Sequence, residues 1–486
     1  MVVNDKLNLT MLCDFYELTM GAGYFANGYT DRITYFDLFF RRCPDGGGFA
    51  IAAGLEQIVQ YIQELHFDPE DIVYLREREC FNEDFLNYLA NFKFTGDIWA
   101  VPEGTPIFPR EPIITVRAPA IQAQLVETYL LLCVNHQSLI ATKANRVVRA
   151  AEGRTVLEFG SRRAQGADAA ILGARAAYIG GCHGTACTIS DQLYGVHAGG
   201  TMAHAWVQMF DSEYEAFKAY VKMFPNNATL LVDTYNTLKS GVPNAIRAFN
   251  EVLKPMGITK CGIRLDSGDL AYLTREARKM LDEAGWTDCK ISVSNSLDEY
   301  IIRDLLRQGA QIDMFGVGER LITARSEPVF GAVYKLCAVE EDGQFTPRIK
   351  ISENVEKITN PGVKRLLRVY DQDGKSVADL MTLRDEPLPG AKPYRYVDPI
   401  RPWRVRYFEN CVYEELQQPI FVDGKRVYTL PTLAESRAYV HQQLHQQVWE
   451  EEQRIQNPHV HYVDMSPRLY ELKMNMLHSS HAGKER

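Results

Sequence analysis

The stretch Thr155-Val-Leu-Glu-Phe159, followed at once by Gly160-Ser-Arg162-Arg163, decides how the chain is read. An apolar run of strand length breaks into a polar, glycine-containing tip. An Ala-rich helical pattern then runs from Asp168 to Tyr178 and closes on Gly180 and Gly181. Gly184-Thr185-Ala186 and Gly199-Gly-Thr-Met-Ala-His204-Ala-Trp206 continue the alternation. Downstream the same grammar returns in Thr229-Leu-Leu-Val-Asp233, Gly262-Ile-Arg264-Leu-Asp266-Ser-Gly268-Asp269, Ile291-Ser-Val-Ser294-Asn295 and Ile312-Asp-Met-Phe-Gly316-Val-Gly318-Glu-Arg320. Helical patterns over Leu270–Ala284 and Leu297–Gln308 fill the gaps. Strand, polar tip and helix at roughly equal spacing read as α/β, an irregular (β/α) barrel over residues 141–340, with functional groups at one end of its strands.

The flanks have a different character. With 486 residues, two or three domains are expected. Residues 1–140 read as an α+β domain: a helix from Asp14 through Met20, a strand over Tyr35–Phe40, a turn at Pro44–Gly48, a helix over Ala53–Leu65 and short strands between Asp97 and Arg117. Val126–Ala151 reads as a helix on which Lys143, Arg146 and Arg149 form a solvated face. Val333–Val339 is a strand leading out of the barrel. Residues 341–486 form a C-terminal α/β extension, with a basic surface hairpin over Lys350–Lys364 and a long helix over Thr432–Gln456. His441, His445, His459 and His461 are expected at the surface.

A net charge of −9 argues against nucleic acid as the main partner. The opening residues, with Asn4, Asp5 and Lys6, contain no apolar core of a signal peptide, and no apolar run reaches membrane-spanning length. Ten scattered cysteines without a CxxC pair read as reduced and packed, in a cytoplasmic protein. Cys182, His183 and Cys187 are not taken as metal ligands.

Three kinds of chemistry gather at the strand tips. Arg162, Arg163, Arg264, Arg320 and Lys335 suit phosphate or carboxylate. Gly184-Thr185 and Gly316-Val-Gly318 expose backbone amides, as phosphate cradles do. Asp233, Asp266 and Asp269 suit sugar hydroxyls or magnesium. Each is weak alone: Gly-x-Gly is usually a turn, and Asp269 is equally placed to cap the following helix. Their convergence reads as a phosphate-handling barrel.

The motifs Phe15-Tyr16-Glu-Leu-Thr-Met20, Glu158-Phe-Gly-Ser-Arg-Arg-Ala-Gln-Gly166, Gly200-Thr-Met-Ala-His204, Arg264-Leu-Asp-Ser-Gly-Asp269, Val293-Ser-Asn295 and Gly316-Val-Gly318 resemble nicotinate phosphoribosyltransferases in order and spacing. The resemblance runs from about Leu9 to Lys364 and more loosely beyond. It implies a barrel of the type II phosphoribosyltransferase kind. It also implies transfer of phosphoribosyl from 5-phosphoribosyl 1-pyrophosphate (PRPP) to nicotinate, coupled to ATP hydrolysis through phosphorylated His204, with Mg2+ on the phosphates.

By the same resemblance, Phe159 and Tyr16 sandwich the pyridine ring, Tyr16 coming from the second chain of a homodimer with shared sites. Stacking of that kind is worth roughly 1–3 kcal/mol per ring. Arg162 meets the nicotinate carboxylate or the nearby phosphate, and Thr185 is a further substrate-binding residue. Asp266 and Asp233 hold ribose hydroxyls and position the anomeric carbon, and Arg264 is a further catalytic candidate. Ser294, Asn295, Gly316 and Gly318 cradle the 5′-phosphate, and Asp269 is the candidate magnesium ligand. Arg41, Lys357 and Lys364 fall in segments matching pyrophosphate and ATP contacts. Nicotinamide-using relatives carry an acid where Ala186 stands here, which disfavours a nicotinamide enzyme. A non-catalytic regulatory paralogue would be expected to lack Arg162, His204 or Asp266.

Overall fold

A computed structural model describes residues 7–389 and 393–482; Asn4, Asp5 and Lys6 lie outside the described residues. The chain forms two compact units, Lys143–Pro328 and the remainder, Met1–Thr142 with Val329–Arg486.

The Lys143–Pro328 unit holds one six-stranded sheet. Its strands are Gly184–Thr185, Thr155–Glu158, Met314–Val317, Lys290–Ser294, Gly262–Leu265 and Thr229–Leu231, in that spatial order and all parallel. The strand and helix repeat expected from sequence is present as this sheet. Its two outer strands, Gly184–Thr185 and Thr229–Leu231, are not paired with each other among the described residues.

The helices follow from local chemistry. Asp269 accepts the Tyr272 amide and starts Leu270–Glu283, whose Ala271, Thr274, Ala277 and Leu281 recur every three or four residues and are buried. Asp298 accepts the Tyr300 and Ile301 amides and starts Glu299–Arg307. Parallel strands joined by such helices leave every tip at the same edge of the sheet.

The helix expected over Val126–Ala151 is observed as Glu127–Ala150. Its basic face is not solvated. Lys143 and Arg146 are buried, with Lys143 Nζ 2.8 Å from Glu299 Oε2 and Arg146 Nε donating to Glu299 Oε1 at 2.9 Å. Arg149 donates to Asn145 at 2.9 Å, and burial, with Arg146 alongside, lowers its proton affinity. The spacing of three is the same for a wet face and for one that meets a carboxylate from another helix.

The other unit corrects the expected division into first and last domains. Strand Val333–Glu341 follows the parallel unit and belongs to the other one. It pairs along its length with Ile33–Phe39, from Ile33 opposite Glu340 to Phe39 opposite Val333. Gln418–Val422 pairs with Asp97–Ala100. The resulting seven-stranded sheet runs Gln344–Pro347, Val333–Glu341, Ile33–Phe39, Ile114–Pro119, Asp97–Ala100, Gln418–Val422, Lys425–Arg426. A second sheet of six strands is built wholly from residues 364–465. Early and late segments are therefore one unit, because their strands complete a common ladder.

The tail helix is shorter than expected. A capping box of Thr432 and Glu435 starts Leu433–Gln442, a π-helical turn covers Gln443–Gln447, and Val448 is extended. Gln453 donates to the carbonyls of Leu444 and Val448, and the Trp449 indole donates to the Ser376 carbonyl at 2.8 Å. These side-chain bonds stop the helix where composition alone would continue it. The basic segment after Lys350 is a loop closed at its base by Lys350 and Thr359, with one 3-10 turn at Val355–Lys357.

His461 is buried, not exposed as expected. Its Nδ1 lies 2.8 Å from Glu452 Oε1 and its Nε2 3.5 Å from Asp379 Oδ1, while its ring stacks on Phe108 with centroids 3.8 Å apart. Arg368 donates twice to Asp379, at 2.9 and 2.7 Å. Burial pulls the imidazole down, but Asp379 and Glu452 together outweigh it and hold its pKa above the ordinary value.

A raised folded pKa contributes stability that is complete below the unfolded value, near 6.5, and is lost as pH rises through the folded one. Glu111, pushed up by burial beside Asp379, has the same sign, its effect beginning above the unfolded carboxyl value near 4.5. The thermal midpoint is therefore expected to fall as pH is raised above about 6.5, and His461→Gln to flatten that slope; a parallel slope in the variant would reject the assignment.

Candidate active site

The candidate residues of the parallel unit lie at the C-terminal ends of its strands. Phe159 follows Thr155–Glu158, Thr185 ends Gly184–Thr185, Asp233 lies two residues past Thr229–Leu231, and Asp266 follows Gly262–Leu265. Ser294 ends its strand and Asn295 follows it; Gly316 lies in the last strand and Gly318 just beyond. This edge is where open α/β sheets bind ligands.

Arg264 is the hub. Its guanidinium donates to Ser294 Oγ at 3.0 Å, Thr201 Oγ1 at 3.3 Å, the Met202 carbonyl at 3.4 Å and Asp266 Oδ1 at 3.3 Å. It also lies 5.8 Å from the centre of the Phe159 ring. Ser294 donates to the same Asp266 oxygen. One cation thus fixes the position of Asp266, steadies the loop before His204 and lies against the aromatic ring.

Asp233 joins the next pair. Its Oδ2 accepts the Asp266 amide at 2.8 Å and the Ser267 hydroxyl at 2.6 Å. Its Oδ1 is buried with no hydrogen-bond donor among the described residues and lies 4.0 Å from His204 Nε2. His204 Nδ1 is 3.1 Å from Thr234 Oγ1. The imidazole side chain is 40% exposed and the Asp233 side chain 2%, so an incoming group reaches His204 while Asp233 stays behind it.

Phe159 is half-buried on the turn that carries Arg162, and the Arg162 side chain is exposed. A Cβ on Gly316 would fall 2.4 Å from the Phe159 ring, so only a residue without a side chain leaves room for that ring. That steric need accounts for one glycine of the expected phosphate cradle. Asn295 and Ser296 both take left-handed conformations, φ 87° and 50°. Two such non-glycine residues in succession are strained backbone of the kind found at ligand sites. Ser296 is held by Glu319 Oε1 at 3.1 Å.

Asp269 is exposed and uses Oδ1 to cap a helix. Among the described residues no three His, Cys, Asp or Glu side chains gather around a metal position. Asp233 Oδ1, buried without a hydrogen-bond donor among the described residues, has the chemistry of a cation ligand.

The remaining expected residues belong to the other unit. Tyr16 stands 43% exposed in the first turn of helix Phe15–Ala26, beside exposed Leu12, Phe15 and Met20. Burial and the neighbouring Glu127 raise its phenol pKa, so the ring is neutral at ordinary pH. Arg41 is partly buried, its Nε without a hydrogen-bond partner among the described residues, and Lys357 is exposed. Lys364 differs from expectation. Its buried ammonium meets Asp37 at 2.8 Å and donates to the carbonyls of Asn360 at 2.9 Å and Gly362 at 2.6 Å. All three of its donors are engaged, so it has none left for a phosphate. Thr201, Thr234 and Ser267, which position the expected residues, were not singled out from sequence. Thr201 and Ser267 lie inside quoted motifs and Thr234 follows Asp233, but none carries a signal of its own.

Comparison with known proteins settles the family. The profile described as nicotinate phosphoribosyltransferase (NAPRTase) N-terminal domain matches residues 11–135, and that of the C-terminal domain matches residues 363–473. The chain is 43% identical to the nicotinate phosphoribosyltransferase of Bacillus subtilis strain 168, over 97% of this chain and 96% of that protein. The chain belongs to the nicotinate phosphoribosyltransferase family.

The family relationship extends to eukaryotes. The Dictyostelium discoideum nicotinate phosphoribosyltransferase is 34% identical over 96% of this chain and 88% of that protein. The crystal structure of human nicotinic acid phosphoribosyltransferase superposes with a TM-score of 0.84 at 31% identity, covering 95% of this chain and 99% of that one. A nicotinate-nucleotide pyrophosphorylase from Pyrococcus furiosus shares the fold, with a TM-score of 0.69 at 23% identity, over 92% of this chain and 97% of that chain. No helix among the described residues is long and apolar enough to cross a membrane.

Proposed function

We propose that the chain transfers phosphoribosyl from PRPP to nicotinate, releasing nicotinate mononucleotide and pyrophosphate, and that ATP drives this step by phosphorylating His204, in a cytoplasmic NAD salvage route. The observation that carries the coupling is Asp233. One buried carboxylate takes the Asp266 amide on one oxygen and lies 4.0 Å from His204 on the other. A change of charge at the imidazole is felt directly by the group that places the ribose.

The chemistry follows from placement. The pyridine nitrogen attacks the anomeric carbon of PRPP, the carbon–oxygen bond to pyrophosphate breaks, and its electron pair leaves with the pyrophosphate. Phe159 holds the ring by stacking, and exposed Arg162 meets the nicotinate carboxylate. Asp266, pinned by Arg264 and Ser294, accepts ribose hydroxyls and faces the positive charge that develops at the anomeric carbon. The backbone of Asn295, Gly316 and Gly318 faces the 5′-phosphate. Asp233 and Asp266 would hold magnesium, which neutralises phosphate charge when bound together with substrate oxygens. Arg41 and Lys357 remain as pyrophosphate and ATP contacts. The exposed Leu12, Phe15, Tyr16 and Met20 suit a homodimer in which Tyr16 completes the partner's pyridine site.

The test is mononucleotide formation from PRPP and magnesium with nicotinate or nicotinamide, each with and without ATP. Nicotinate turnover stimulated by ATP is expected, and turnover of nicotinamide alone would overturn the substrate assignment. His204→Ala is expected to keep some transferase activity and lose the ATP stimulation. Undiminished stimulation in that variant would remove His204 from the coupling.

A further inference from the structure

Glu158, immediately before Phe159, has no place in the roles above, yet its side chain is wholly buried at the pyridine end of the site. Its Oε2 accepts the Thr185 hydroxyl at 2.7 Å, and its Oε1 accepts the Gly160 amide. The Thr185 hydroxyl oxygen accepts the Cys187 amide at 3.0 Å. One carboxylate therefore ties the turn after the Thr155–Glu158 strand to the end of the Gly184–Thr185 strand. The first carries Phe159 and Arg162; the second leads into Ala186.

Strand pairing does not need this side chain. The Ala186 amide donates to the Glu158 carbonyl at 2.8 Å, the Phe159 amide donates to the Val317 carbonyl at 2.7 Å, and the ladder register runs on from there. What the carboxylate adds is the direction of the turn. Gly160 has no room for a side chain either: a Cβ would meet Ile322 Cβ at 2.5 Å and Glu158 Oε1 at 2.7 Å. Burial raises the Glu158 pKa, while the two hydrogen bonds oppose the rise. A carboxyl kept in so dry a place, on two neutral donors, is held for its geometry.

We infer that Glu158 is a positioning residue for the pyridine substrate, setting Phe159 and Arg162 against Thr185 and Ala186 through its bonds to Gly160 and Thr185. The inference rests on the proposed pyridine site. It locates substrate orientation in a residue that touches no substrate.

The experiment compares Glu158→Ala, Glu158→Gln, Glu158→Asp and Phe159→Ala by nicotinate KM, PRPP KM, kcat and thermal midpoint. Losing both bonds is expected to raise the nicotinate KM of Glu158→Ala about tenfold, with the PRPP KM within about twofold. Glu158→Gln keeps an acceptor for the Gly160 amide and offers the Thr185 oxygen an amide donor in place of the acceptor its hydroxyl now uses, so the contact is kept with its direction reversed and the variant should recover part of the loss. Glu158→Asp keeps the charge but falls one methylene short, so it should show the selective loss and serves if the alanine variant does not fold. Equal effects on both KM values, glutamine no better than alanine, or a normal aspartate variant overturns the inference. If Phe159→Ala leaves the nicotinate KM unchanged, the pyridine site itself is misplaced. If Phe159→Ala raises it and the Glu158 variants do not, only the positioning role falls.

Discussion

Ala186→Asp is expected to raise the nicotinate KM by up to about a thousandfold while leaving nicotinamide far less affected. Two like charges about 4 Å apart repel by about 4 kcal/mol at an effective dielectric of 20, and by about 1 kcal/mol under full solvent screening. The expected range is therefore from about fivefold to about a thousandfold. The Ala186 side chain is exposed, and its amide is already fixed to the Glu158 carbonyl at 2.8 Å. An aspartate fits there without opening a cavity or stranding a buried charge, so a loss of activity would report on the substrate and not on the fold. Steady-state kinetics with both pyridines decides it: unchanged nicotinate kinetics would remove Ala186 from substrate choice.

Glu299→Leu should give the largest loss of stability. Lys143 and Arg146 both bond the fully buried Glu299, and removing it leaves two cations without that carboxylate. Breaking a buried ion pair from one side costs about 3–5 kcal/mol. In a unit of this size that corresponds to a fall in thermal midpoint on the order of ten degrees. Glu299→Gln, which keeps an acceptor oxygen, is expected to lose less. A midpoint within about a degree of the parent for the leucine variant would mean the charges are already relieved by water.

The same cluster shows where sequence reading stops. Lys143, Arg146 and Arg149 recur at a spacing that fits a wet helix face, and the carboxylate that meets the first two lies more than 150 residues away. His461 looks like one more polar residue in a tail rich in histidine, until Glu452 and Asp379 are found on either side of it. By contrast, the parallel strands, the helices between them and the residues at their tips were legible, because each is written within ten or so consecutive residues. Asp269 shows the limit of motif reading: capping and metal binding ask for the same residue at the same place, and its bond to Tyr272 shows which use the free chain makes of it. Lys364 was read from its neighbourhood as a phosphate contact, and only Asp37, from a strand far earlier in the chain, shows how its charge is used.

The long separation between Ile33–Phe39 and its partner Val333–Glu341 governs how the protein is made. A ribosome releases the first strand roughly three hundred residues before the second exists. The parallel sheet, all of whose strands lie between Thr155 and Val317, is complete before then and has everything it needs to form early. The antiparallel sheet must wait with one flank of Ile33–Phe39 exposed, and its far end waits longer still, for Gln418–Val422. Unpaired strand edges are the sites where chains stick to one another, and pairings so distant in sequence form slowly. Crowded synthesis therefore threatens the discontinuous unit first, and chaperone demand should track the delay before its last strands emerge.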